Sequence, residues 1–181
     1  MGAGGGIGSS GSPAARTLTV ADCSRGVYAL RLYLPMEQTL AVGRLGSFFF
    51  PAGYYFYLGS ALGPGGLPAR LARHWRPGKL AHWHVDWVRQ AAVLDGAWAM
   101  ISDVRLECRW AVAVASLPEA SCPAPRLGAS DCHCPTHLYH LPEALAAERF
   151  AAVVGVLLAQ LIDCRGAEQL PEDCFGGASG A

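Results

Sequence analysis

The stretch GYYFYLGSA, Gly53 to Ala61, crowds four aromatic residues into a run that ends on Gly-Ser-Ala. Its two-residue period puts Tyr55 and Tyr57 on one face of a strand and Tyr54, Phe56 and Leu58 on the other. A Gly-Pro-Gly-Gly turn, Gly63 to Gly66, then separates that strand from RLARHW. The pattern predicts a helix from about Leu67 to Trp75, with Pro68 in its first turn and Pro77-Gly78 ending it. Arg70 and His74, four apart, project from one face of that helix, with Arg73 beside His74. A strand carrying tyrosine hydroxyls thus delivers the chain to a cationic helix.

Working outward, Gly26 to Leu34 reads as a strand with Tyr28, Leu30, Leu32 and Leu34 on one face and Arg31 on the other. Pro35 to Gln38 makes a turn and Thr39 to Val42 a short return strand, before a loop through Gly46 to Phe48, Phe49 and Phe50. A second helix is predicted from near Ala81 through HWHVDWVRQAA, and a strand over Ala97 to Ser102. Glu107 to Leu117 reads as helix or strand, and Pro118 to Arg126 as a Pro-rich loop. A long helix is predicted over residues 142–164, its apolar stripe formed by Phe150, Val153, Val154, Leu157, Leu158 and Leu161. The sum is an α+β domain, a small antiparallel sheet with helices packed on it.

The 181 residues are read as one domain over residues 18–164 between Gly/Ser-rich or flexible tails at residues 1–17 and 165–181. The first residues have neither a basic start nor an apolar core, and Gly6 stands where a myristoylation pattern wants Ser or Thr. The most apolar run, Phe150 to Ile162, is shorter than the roughly 20 residues a bilayer requires. A cytoplasmic protein with no membrane partner is expected. Seven cysteines without a secretory signal read as thiols or metal ligands, with Cys23, Cys164 and Cys122 as small buried hydrophobes.

Fourteen basic and fourteen acidic side chains cancel, so any anion preference has to be local. Across Leu67 to Gln90 there are five basic residues, Arg70, Arg73, Arg76, Lys79 and Arg89, against Asp86 alone. Such a run is either a solvated helix face or an anion site, and guanidinium groups match phosphate oxygens bidentately.

GVY at Gly26 to Tyr28, YLG at Tyr57 to Gly59, Arg70 followed by His74, and Glu107 in ECRW together resemble the GIY-YIG nuclease superfamily. With GRLG, HWHVDW and GASDCHCPTHL, the chain is similar to an uncharacterised branch of that superfamily over roughly Gly26 to Leu141. The resemblance implies phosphodiester hydrolysis in DNA or another nucleic acid. Tyr28 would orient or deprotonate the attacking water with help from Tyr57, and Arg70 would stabilise phosphorane charge. His74 would pass protons or bind a second phosphate oxygen, and Glu107 would hold Mg²⁺ or Mn²⁺. Gly59 would let the backbone approach closely, with Ser60, Arg73, Arg76, Lys79, His82 and His84 contacting nucleic acid. One departure is the 29 positions between Tyr28 and Tyr57, which call for an extra hairpin.

Two clusters lie beside these residues. On a helix, His82 and Asp86 would share a face, and so would Trp83 and Trp87, the tryptophans packing into the core or offering a base a stacking platform. In GASDCHCPTHLYH, the residues Cys132, Cys134 and His137 could hold Zn²⁺ with Cys108 as fourth ligand. The alternatives are a hydrogen-bonded loop or a reactive thiol. For the protein as a whole, the rivals to a metal-dependent endonuclease are a non-catalytic nucleic-acid-binding module and a zinc-stabilised interaction protein.

Overall fold

The computed structural model describes residues 24–166. The N-terminal tail, Cys23 and nearly all of the C-terminal tail lie outside them. The chain folds into an α+β domain in which a five-stranded antiparallel sheet carries helices on both faces. The strands are β1 (Gly26–Leu34), β4 (Gly53–Ala61), β5 (Val93–Ile101), β6 (Leu138–Leu141) and β7 (Ile162–Cys164), in the order β6-β4-β1-β5-β7.

β1 is central because both of its faces are apolar. Tyr28, Leu30, Leu32 and Leu34 pack with Tyr55, Tyr57 and Leu71 on one side, beneath α1 (Gly66–Trp75) and α2 (His84–Val88). Val27 and Ala29 pack with Phe56, Leu58 and Trp98 on the other, beneath α3 (Glu107–Ala115) and α4 (Ala147–Val154). Alternation along β1 and β4 therefore builds two cores rather than a core and a wet face. The antiparallel register sets Tyr28 opposite Gly59 and Leu30 opposite Tyr57, so the two tyrosines are diagonal neighbours on one face.

The long connection between the tyrosine strands is the expected hairpin. β2 (Gln38–Ala41) pairs with β3 (Ser47–Phe50) rather than with β1, forming a separate two-stranded sheet around the 3-10 turn Gly43–Leu45.

Three sequence expectations change. The helix predicted over residues 142–164 is only α4, ended by Gly155 in the left-handed conformation. After it come a 3-10 turn, Leu158–Gln160, and β7 against β5. Of the apolar residues that read as one helical stripe, Phe150 and Val154 are buried from α4 and Leu161 beside β7, while Leu157 is exposed. The second helix is likewise short, since His82 and Trp83 precede it. Cys122 is exposed rather than buried, whereas Cys164 is buried as expected.

Candidate active site

The tyrosine face of β1 and β4 opens, where α1 meets the loops before α2, α3 and β6, into a polar cleft of about 380 Å³. Tyr28, Tyr57, Gly59, Ser60, Arg70, His82, His84 and Glu107 line it, drawn from positions spread over the chain. Arg105, Ser130, Asp131 and His137 also line it, with Leu58, Trp83 and Gly128.

Tyr28 lies over the backbone of Gly59. A Cβ at Gly59 would stand 2.5 Å from the Tyr28 hydroxyl oxygen, so the glycine makes room for the ring rather than for a substrate phosphate. Behind Tyr28, its hydroxyl is 2.9 Å from Nε2 of His74, which is fully buried. Burial, reinforced by Lys79, holds the His74 pKa well below the ordinary histidine range, so the imidazole is neutral. Burial likewise pushes the Tyr28 phenol well above its usual value and Tyr57 up to about 12. Both tyrosines keep their protons at neutral pH. His74 does not line the cleft, so a direct bond from it to a phosphate oxygen is ruled out, and its reach into the site runs through Tyr28.

The basic residues divide. Arg70 lines the cleft, its guanidinium 4.5 Å from the Trp83 ring centroid, with no carboxylate at ion-pair distance among the described residues. Arg73 and Lys79 instead reach the buried Asp86, at 3.1 and 2.6 Å. Burial alone would raise the Asp86 carboxyl, but Lys79 and the N–H groups of His82 and Trp83, which donate at 3.0 and 2.9 Å, hold it below the usual carboxylate range. Arg73 borders an adjoining cleft of about 210 Å³ that shares Arg70 and Trp83. Arg76 and Lys79 face a third hollow with Arg89. Of the expected nucleic-acid-contacting cations, then, Arg73, Arg76 and Lys79 do not join the cleft; Asp86 draws two of them away.

The same carboxylate explains HWHVDW. Asp86 stands in the first turn of α2 and binds the N–H groups of the two residues before it, so His82 and Asp86 do not present paired side chains on one helix face. Trp83 packs between core and cations, with Arg73 4.0 Å from its ring centroid, which uses the surface a stacked base would need. His84 accepts a weak hydrogen bond from the Gly128 N–H at 3.5 Å and is depressed in pKa by burial.

Glu107 opens α3, which lies on the opposite face of the sheet, yet the helix start reaches the cleft. The side chain is 3% exposed. Oε1 accepts from Arg105 Nε at 2.8 Å, and Oε2 is buried with no hydrogen-bond partner. A buried carboxylate oxygen left unbonded is costly, and a bound cation would satisfy it. Glu107 is therefore a residue that could hold a cation. Sequence reading missed Arg105, which also donates to Asp131 at 2.7 Å; its one signal was a cation two residues before the glutamate.

Beside this carboxylate, Cys108, Cys132, Cys134 and His137 bring their ligand atoms within 4.8 Å of one another. The four can hold a metal ion, as their chemistry predicted.

A mixed sheet-and-helix domain with a tyrosine-lined, arginine-bearing cleft and a Cys/His cluster that could hold a metal ion is the class these features define. The chain belongs to the family described as Domain of unknown function DUF123, which it matches over residues 27–158. No curated protein and no solved structure matches it. Among the described residues, no helix is long and apolar enough to cross a membrane.

Proposed function

We propose that the protein is a GIY-YIG-like, divalent-metal-dependent endonuclease that hydrolyses phosphodiester bonds in DNA. The observation that carries this reading is one cleft holding Arg70, the Tyr28–Tyr57 pair and the unbonded buried oxygen of Glu107. Arg70 binds the scissile phosphate and stabilises the charge that builds on its equatorial oxygens. As the water oxygen adds to phosphorus, its proton passes to the Tyr28 oxygen while the Tyr28 proton moves to Nε2 of His74. The bond from phosphorus to the leaving oxygen then breaks, and solvent protonates that oxygen. Tyr57 keeps its proton and donates a hydrogen bond to the phosphoryl group. A Mg²⁺ or Mn²⁺ ion on Glu107 would neutralise charge on the leaving oxygen.

The softer thiolate and imidazole set suits Zn²⁺ and takes no part in these steps. Five free cysteines among the described residues fit a reducing compartment such as the cytoplasm.

The test is strand cleavage on duplex, single-stranded, flap and junction DNA with Mg²⁺, Mn²⁺ or chelator. Metal-dependent nicking that disappears in both Glu107→Gln and Arg70→Ala is the expected result. Salt-sensitive binding without any cutting would instead make this a nucleic-acid-binding module of the same fold.

A further inference from the structure

Three sulfur donors and one imidazole meet at the junction of two segments that otherwise belong to different layers of the fold. Cys108 lies in the first turn of α3, directly after Glu107. Cys132, Cys134 and His137 lie in the loop that runs into β6, the strand paired with β4 at Tyr57. We propose that these four residues hold a resident zinc ion that staples the Glu107 end of α3 to the Tyr57 edge of the sheet, and so sets the geometry of the cleft.

The two distances from His137 to cysteine sulfur fit a tetrahedral centre, and all four ligand atoms lie within 4.8 Å of one another. With Zn–S near 2.3 Å and Zn–N near 2.0 Å, neighbouring sulfur and nitrogen ligands stand about 3.5 Å apart. His137 Nε2 is 3.5 Å from Cys132 Sγ and 3.6 Å from Cys108 Sγ. Four protein ligands close the coordination sphere, so the ion is structural and leaves no position for a reacting water.

Hydrogen bonds within the loop hold the ligands in place. Arg126 is the single non-glycine residue with positive φ among those described. Its guanidinium donates to the carbonyls of both Cys132 and Cys134, at 2.8 and 3.2 Å. The Thr136 hydroxyl, fully buried, lies 3.0 and 3.2 Å from the carbonyl oxygens of Ala124 and Leu127, which share its one proton. His137 is fixed in turn, its N–H donating to Leu127 and its carbonyl accepting from Leu58 beside Tyr57. A Cβ at Gly128 would press on both the Tyr57 ring and the His137 side chain, so ligand and tyrosine are packed against the same backbone. On the other side, Arg105 ties Glu107 to Asp131, the residues immediately before Cys108 and Cys132. Besides the packing of α3 on β4 in the second core, these contacts between the Tyr57 and Glu107 sides of the cleft lie beside the metal ligands.

The effect on cleavage rests on the nuclease reading above; the zinc and the staple do not. Metal analysis of the full chain, purified with zinc and without chelator, should find one zinc ion per chain, lost in Cys132→Ser and in Cys134→Ser. Cobalt in its place should give thiolate charge-transfer bands. A metal-free protein whose three cluster thiols react freely would overturn the site.

Hydrogen exchange then tests the staple. Stripping zinc should deprotect residues 106–109 and 131–138 while β1 and β5 keep their protection. Unchanged protection, or loss throughout the chain, would overturn it. In cleavage assays the zinc-free protein should need about 10-fold more Mg²⁺ for half-maximal rate, the usual scale of a lost supporting shell. An unshifted Mg²⁺ requirement would remove the link to the cleft. If even zinc-loaded protein cuts nothing, the nuclease reading falls, and metal content with exchange still decides the staple.

Discussion

Tyr28 and His74 stand 46 positions apart in the chain and share a 2.9 Å hydrogen bond that is buried from solvent. The bond joins the central strand to α1 and puts a neutral imidazole behind a protonated phenol at the wall of the cleft. Neither group alone is a good base at neutral pH; together they form a path for one proton. Replacing Tyr28 by Phe should lower single-turnover cleavage about 10²- to 10⁴-fold, the usual worth of general acid–base catalysis, while circular dichroism stays unchanged. Retained activity in Tyr28→Phe would place the base elsewhere.

The same burial has a consequence for stability. The His74 pKa is lower in the folded than in the unfolded state, so the unfolded chain binds more protons. Its contribution is fully present above the ordinary value of about 6.5 and is lost progressively as pH falls below it. Denaturant titrations from pH 8 to 5 should show this loss in the wild type and a flatter profile in His74→Gln.

Asp86 acts at lower pH and in a different way. Its folded-state pKa is depressed, so its stabilisation is present above the unfolded carboxylate value near 3.8 and is lost as pH falls through the folded value. Asp86→Ala would leave Lys79 and Arg73 without their shared partner and two N–H groups unbonded. A loss of about 3–5 kcal/mol in unfolding free energy is expected. A loss below 1 kcal/mol would show that water replaces the carboxylate.

Arg70, midway along α1, and Arg76, just after its last residue, make a matched pair of substitutions. Arg70→Ala should reduce cleavage about 10²- to 10³-fold, the scale of one transition-state donor. Arg76, exposed and outside the cleft, should change the rate little when replaced by Ala. Equal effects would mean that the helix acts as a diffuse cationic surface.

Gly59→Ala tests the fit of Tyr28 against β4. A methyl group 2.5 Å from the ring must displace the ring or the strand, at a cost of about 1–3 kcal/mol. Loss of the Tyr28–His74 bond should follow, visible as a shifted His74 imidazole resonance. A variant as stable as the wild type with an unshifted resonance would show the ring free to move.

Much of this was legible in the sequence because the signals were local. The alternation in GVYALRLYL and GYYFYLGSA fixes both tyrosine strands and the face each side chain takes. Pro68 and Pro77-Gly78 bracket α1. The chemistry of Cys108, Cys132, Cys134 and His137 was enough to name four donors before their distances were known. The long helix over residues 142–164 failed because an apolar stripe does not say what it packs against. Gly155 could stop the helix there, and the exposed edge of β5 then offered Ile162 to Cys164 a ladder.

By itself, then, the sequence determined the strand faces, the cationic helix and the inventory of reactive groups, all of which follow from spacing within a few residues. Only the tertiary structure decided which of those groups meet. The buried carboxylate of Asp86 removes Arg73 and Lys79 from the cleft and leaves Arg70 there, while the reach of α3 across the sheet edge brings Glu107 to the tyrosines. Coulomb attraction and burial act between residues far apart in the chain, and no local pattern records which partner a charge will find.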